Sequence, residues 1–138
     1  MPDMKEMNQA VITEFRANEG SLSGPMEGAP ILLLTTTGRR SGTRHTTPVG
    51  FIDAEGQLAI AAANGGADHD PDWFHNLVHD HDVTIEVAGA TITSLAIVTE
   101  GEERARLLEQ LTASLPGMSE QVGCTDRQIP VIVLTEAG

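Results

Sequence analysis

Six short runs of apolar and β-branched residues, most of them joined by gaps of hairpin length, leave this chain few folds to choose from. They are Ile31–Thr36, His45–Ile52, Gln57–Ala63, Val83–Val87, Thr91–Val98 and Ile129–Thr135. Parallel neighbours need crossovers of about a dozen residues or more, and no regular alternation of strand and helix supplies them. The runs therefore predict an antiparallel sheet. A closed or half-closed β-barrel with peripheral helices buries such a sheet, and 138 residues suffice for one domain spanning 1–138.

Helix signals fall early, midway and late. Residues 4–18 read as an amphipathic helix, with Met4, Met7, Val11 and Phe15 on one stripe. Residues 19–30 hold three glycines and two prolines and read as a loop. Asp70-Pro71 predicts a helix start with Asp70 as N-cap. Ala88-Gly89-Ala90 between two strands reads as a hairpin turn. Thr99-Glu100-Gly101-Glu102 matches a capping box, followed by a stripe of Leu107, Leu108, Leu111 and Leu115 that Pro116-Gly117 ends.

The formal net charge of -12 repels nucleic acid and anionic membranes, leaving at most peripheral membrane contact through the first helix. The polar face of that helix is not strongly basic, which favours packing on the barrel instead. A lone cysteine, Cys124, allows no intrachain disulfide and fits a reducing compartment. The N-terminus has no signal-peptide pattern, and no apolar run approaches the ~20 residues that cross a bilayer. A soluble, cytoplasmic protein is expected.

Against this acidic background, Arg39, Arg40 and Arg44 form a basic island, set with Gly38, Ser41, Gly42 and Thr43 between two strands. Glycines allow a tight turn with exposed amides, hydroxyls donate hydrogen bonds, and guanidinium forks match phosphate or carboxylate oxygens. The turn has the parts of an anion cradle. A solvated hairpin tip, its arginines paired with nearby acids, is the plainer alternative.

The stretches LLLTTTGRRSGTRHTTPVGF, AAANGGADHDPDWFHNLVHDHDVTIEV and TDRQIPVIVL together resemble the deazaflavin-dependent nitroreductase family. Its members are actinobacterial split-β-barrel reductases that use coenzyme F420. The likeness rests on a TTGRxSGxxRxxP block, a GGAxxxPxWxxNL block and a TDRxIPVVVL-like end. It implies a mainly β (α+β) fold: a six-stranded antiparallel split β-barrel with peripheral helices. It also implies that the turn binds the cofactor's phosphate and acidic tail, which points to Arg39, Arg40, Ser41, Gly42 and Arg44. Thr47, Pro48 and Val49 would lie along the deazaflavin ring. Ala61, Ala63, Asn64, Gly65, Gly66, Ala67 and Trp73 would complete the pocket. Family members commonly carry Ser-Lys where this chain has Ala63-Asn64, and tyrosines near Met118 and Gln121. The turn must therefore carry more of the affinity.

The implied activity is hydride transfer from F420H2 to a small-molecule electron acceptor such as a quinone, an activated enone or lactone, or a nitro compound. No protein side chain is expected to be catalytic, and the proton comes from water. An FMN-binding split-barrel reductase and a non-catalytic F420-binding carrier are the competing readings. His69, His75, His79 and His81 crowd one acidic segment, and His75 and His79 stand at i, i+4. The helical wheel nevertheless turns these two to solvent while Trp73 and Leu77 face inward, so no metal site is expected.

Overall fold

The leucine- and threonine-rich segment becomes strand β1 (Ile31–Thr37), whose Leu32, Leu33, Leu34 and Thr36 are fully buried. The computed structural model describes residues 4–18 (of 4–8 the backbone alone), 30–54, 56–63, 69–115, 118–123, 125 and 128–136. Outside the described residues lie Asn64, Gly65, Gly66, Ala67, Cys124, Arg127 and the expected loop apart from Pro30. The other elements are α1 (Met4–Ala17), β2 (Arg44–Gly50), β3 (Ile52–Ala54), β4 (Gln57–Ala61), α2 (Asp72–His79), β5 (Asp82–Val87), β6 (Ala90–Val98), α3 (Gly101–Ser114), α4 (Met118–Gly123) and β7 (Val131–Glu136).

Among the described residues, one sheet holds seven strands in the order β2-β1-β5-β6-β7-β4-β3, and every neighbouring pair is antiparallel. The expected count of six is corrected to seven because the stretch His45–Ile52 changes partner midway. Gly50 pairs with Ile31 on β1, whereas Ile52 pairs with Ala59 on β4. Phe51 alone separates them, and its amide donates to the carbonyl of Pro30 at 3.0 Å. The two ends of the sheet order are thus consecutive in the chain, so the sheet must curl until its edges approach. The result is an antiparallel half-barrel with helices.

Strand alternation sorts the side chains into an inner and an outer core. Inside, Leu32, Leu34, Ile60, Val83, Ile85, Ala96, Ile132 and Leu134 meet Leu77 of α2. Outside, Leu107, Leu111 and Leu115 cover Ala59, Val131 and Val133 of β4 and β7. On the opposite outer flank, Ile12 and Phe15 of α1 pack on Leu33 of β1. The first helix is thereby seated on the sheet, with Ile12 on the buried face beside the expected Phe15. Among the described residues no helix is long and apolar enough to cross a membrane.

Three local expectations change. Thr99 does not cap α3: its hydroxyl and amide both donate to the carbonyl of Val131, at 2.8 and 2.9 Å, and Glu100 takes the cap position. A cross-connection to β7 outcompetes the local box. Helix α2 starts one residue late, with Pro71 rather than Asp70 at its cap. Helix α4, not foreseen after Pro116-Gly117, forms as Met118 enters the outer core.

Ser94 of β6 is buried on the inner face, and its hydroxyl has no hydrogen-bond partner among the described residues. An unmade buried hydrogen bond costs roughly 1–3 kcal/mol. Ser94→Ala is therefore expected to raise unfolding stability by about 1 kcal/mol. Chemical denaturation checks this, and a clear loss of stability would reveal a partner for the hydroxyl.

Candidate functional site

The Gly38–Arg44 turn closes on itself. The Gly38 amide donates to the Thr43 carbonyl at 2.7 Å, the Gly42 amide to the Gly38 carbonyl at 2.9 Å, and the Thr43 amide to Ser41 Oγ at 3.1 Å. Gly42 has φ +71°, a left-handed conformation that glycine adopts without strain. Gly38 is crowded: a Cβ there would lie 2.7 Å from Ser41 Oγ and 2.9 Å from His45 Nε2. Among the described residues, the amides of Arg40 and Ser41 make no hydrogen bond and remain available as donors.

Helix α2 braces the turn through Asn76, which is buried. Asn76 Oδ1 accepts from the Arg39 amide at 3.2 Å and from Arg39 Nη1 at 2.9 Å, and Nδ2 donates to Thr36 Oγ1 at 3.4 Å. Arg39 also approaches Asp72 Oδ1 at 3.5 Å, but the Asp72 side chain is 89% exposed. Such a pair contributes at most about 1 kcal/mol. The Asn76 contacts therefore set the position of Arg39.

Arg44 and His45 leave β2 on opposite faces. Arg44 pairs with Thr37 on the outer face, and His45 pairs with Thr36 on the inner one. The Arg44 guanidinium crosses β1, donating to Thr37 Oγ1 at 3.0 Å and to Thr84 Oγ1 of β5 at 2.8 Å. Counted from Gly38, the second arginine of the TTGRxSGxxRxxP block falls at position 45, where this chain has histidine. Arg44 stands one residue earlier, and strand alternation turns that shift into a change of face.

These groups border a single cleft of about 770 Å³. Its walls are Gln9, Ile12 and Arg16 of α1; Gly38, Arg39, Arg40 and Ser41 of the turn; Arg44, His45, Thr46 and Thr47 of β2; and Asp72, Trp73 and Asn76 of α2. Four of the eight basic residues in the sequence meet there. Arg40 and Arg44 are exposed, while Trp73 is half-buried and also packs on the inner core. On the outer side, Arg16 Nε and Nη2 grip Glu86 Oε1 and Oε2 of β5 at 3.0 and 2.9 Å. These bonds hold the Arg16 guanidinium even more firmly protonated than usual.

Of the expected site residues, Arg39, Arg40, Ser41, Arg44, Thr47 and Trp73 come together on the cleft wall. Gly42 shapes the turn without lining the cleft. Pro48 and Val49 lie further along β2, where Val49 packs on the inner core. Ala61 and Ala63 belong to the outer core. Sequence reasoning missed Gln9, Ile12, Arg16, His45, Thr46, Asp72 and Asn76 as wall residues. The spacing of positions 9, 12 and 16 places them on one helical face, a signal available in advance. His75 and His79 are exposed, and among the described residues no group of three or more potential ligands surrounds a metal position.

The curled sheet carries an arginine-walled cleft whose guanidinium groups and amides are donors suited to an anion. A family model described as F420H(2)-dependent quinone reductase matches residues 7–136. The chain belongs to that family, whose cofactor is the deazaflavin F420. An F420H(2)-dependent quinone reductase of Mycobacterium tuberculosis is 30% identical over 125 residues, covering 88% of this chain and 84% of the relative. A solved F420-H2 dependent reductase superposes with TM-score 0.69 at 31% identity, covering 76% of this chain and 93% of its own. A structure described as a domain-swapped dimer gives TM-score 0.71 at 28% identity, covering 91% and 92% of the two chains.

Proposed function

We propose that this protein is a split β-barrel reductase that binds F420H2 in the arginine-walled cleft and delivers its hydride to a quinone. Activated enones, lactones and nitro compounds are further candidate acceptors. The observation that carries this reading is the gathering of four of eight basic residues on one cleft of a chain with net charge -12. The donor set suits the cofactor: guanidinium groups and free amides for the phosphate and acidic tail, and Trp73 as an aromatic wall beside Thr47. Arg39, Arg40 and Ser41 would grip the phosphate, with Arg39 also holding the turn against α2, and Arg44 would meet the tail.

The bound deazaflavin supplies the hydride, and the protein supplies binding and orientation. The quinone gains that hydride and a proton from water and leaves as a hydroquinone, so no protein side chain needs to exchange a proton. The test is an F420 titration followed by F420H2 oxidation against a quinone, an enone and a nitroaromatic. Micromolar or tighter binding with quinone turnover is expected. Binding without turnover would instead define a carrier, and preferential binding of FMN would overturn the cofactor assignment.

A further inference from the structure

Resting on the F420 reading, the geometry points to Arg16 as a carboxylate-binding residue of the cleft, with Glu86 as its built-in competitor. The pair shows how the site would work. Arg16 presents Nε and Nη2 to both oxygens of one carboxylate at 3.0 and 2.9 Å, the parallel two-point grip with which arginine recognises carboxylates. The guanidinium also lines the cleft and is half exposed, its side chain 52% accessible. On the Arg16 side the ion pair stands in water and is screened, so an incoming carboxylate can compete with Glu86 for the guanidinium.

Position gives the exchange a direction. Thr84 and Glu86 project from the same outer face of β5, and Arg44 already rests on Thr84. Arg44, Thr84, Glu86 and Arg16 therefore follow one another away from the turn. A ligand anchored by its phosphate at Arg40 and Ser41 would extend its acidic tail along this track. A nucleotide that ends at the phosphate would stop short of it. The Arg16–Glu86 pair thus selects for tailed cofactors by charge rather than by shape.

Calorimetry should compare F420 carrying its glutamate tail with the same deazaflavin nucleotide stripped of glutamates, for wild type, Arg16→Gln and Glu86→Gln. Arg16→Gln is expected to weaken binding of the tailed form by roughly threefold to tenfold, leaving the stripped form unchanged. Glu86→Gln, which frees the guanidinium, should tighten binding of the tailed form alone. If the pair merely fastens α1 to β5, both variants will lower thermal stability and shift the two ligands alike. That outcome overturns the proposal, as does a weakening of the tailed form in Glu86→Gln. Wild-type protein that binds neither form would instead remove the F420 reading, and this proposal with it.

Discussion

Replacing Arg39 and Arg44 together by alanine is expected to weaken F420 binding by about 3–5 kcal/mol, since each charge-assisted contact contributes roughly 1.5–3 kcal/mol. The two residues should differ in what else they cost. Arg44 rests on two threonine hydroxyls at the protein surface, groups that water can satisfy when the guanidinium is removed. Arg44→Ala alone should therefore reduce affinity while leaving the unfolding midpoint nearly unchanged. Arg39 is tied to Asn76, so Arg39→Ala should lower both affinity and stability. Calorimetry with F420, paired with thermal denaturation of each variant, separates these effects. Unchanged affinity in the double variant would remove the turn from the binding site.

Asn76→Leu is expected to destabilise the fold by about 2–4 kcal/mol, despite the similar size of the two side chains. The substitution deprives the Arg39 amide of its acceptor and Thr36, which is fully buried, of its donor. Each buried polar group left unpaired costs roughly 1–3 kcal/mol. The turn would lose its brace against α2, so cofactor affinity should fall along with stability. Urea denaturation measures the first effect and F420 titration the second. A stability change below about 0.5 kcal/mol would show that Asn76 packs beside the turn without holding it.

What the sequence revealed follows the range of the forces involved. Strand β1 was legible because Ile31–Thr37 is apolar and β-branched along its own length. The β5–β6 hairpin was legible because Ala88-Gly89 is a local turn, both residues adopting positive φ. The division of His45–Ile52 was not, since nothing local distinguishes a continuous strand from one that exchanges β1 for β4 as its partner. Thr99 shows the same limit: its capping motif is sound, but a carbonyl on β7 competes successfully for the hydroxyl.

The site divides along the same line. Arg39, Arg40 and Arg44 announce themselves as charge gathered within one turn. Arg16 and Asn76 reach the cleft from helices that only the tertiary fold brings beside that turn. The Arg44–His45 step was visible in the spacing of the motif. It acquired meaning only once β2 was seen to alternate its side chains between two faces.

The one-residue link at Phe51 also bears on how the molecule assembles. Between the two hairpins that this link joins, the sheet is completed by partners distant in sequence, Leu34 with Ile85 and Ile60 with Ile132. Folding dominated by such pairings is slow, on the order of milliseconds to seconds. The cleft is walled by α1, β2 and α2 together, so it is complete only once these elements are assembled on the sheet. A ligand that binds only the completed wall adds its binding free energy to the folded state. Cofactor supply would then govern how much of the newly made chain reaches and keeps its finished form, as well as how fast that form works.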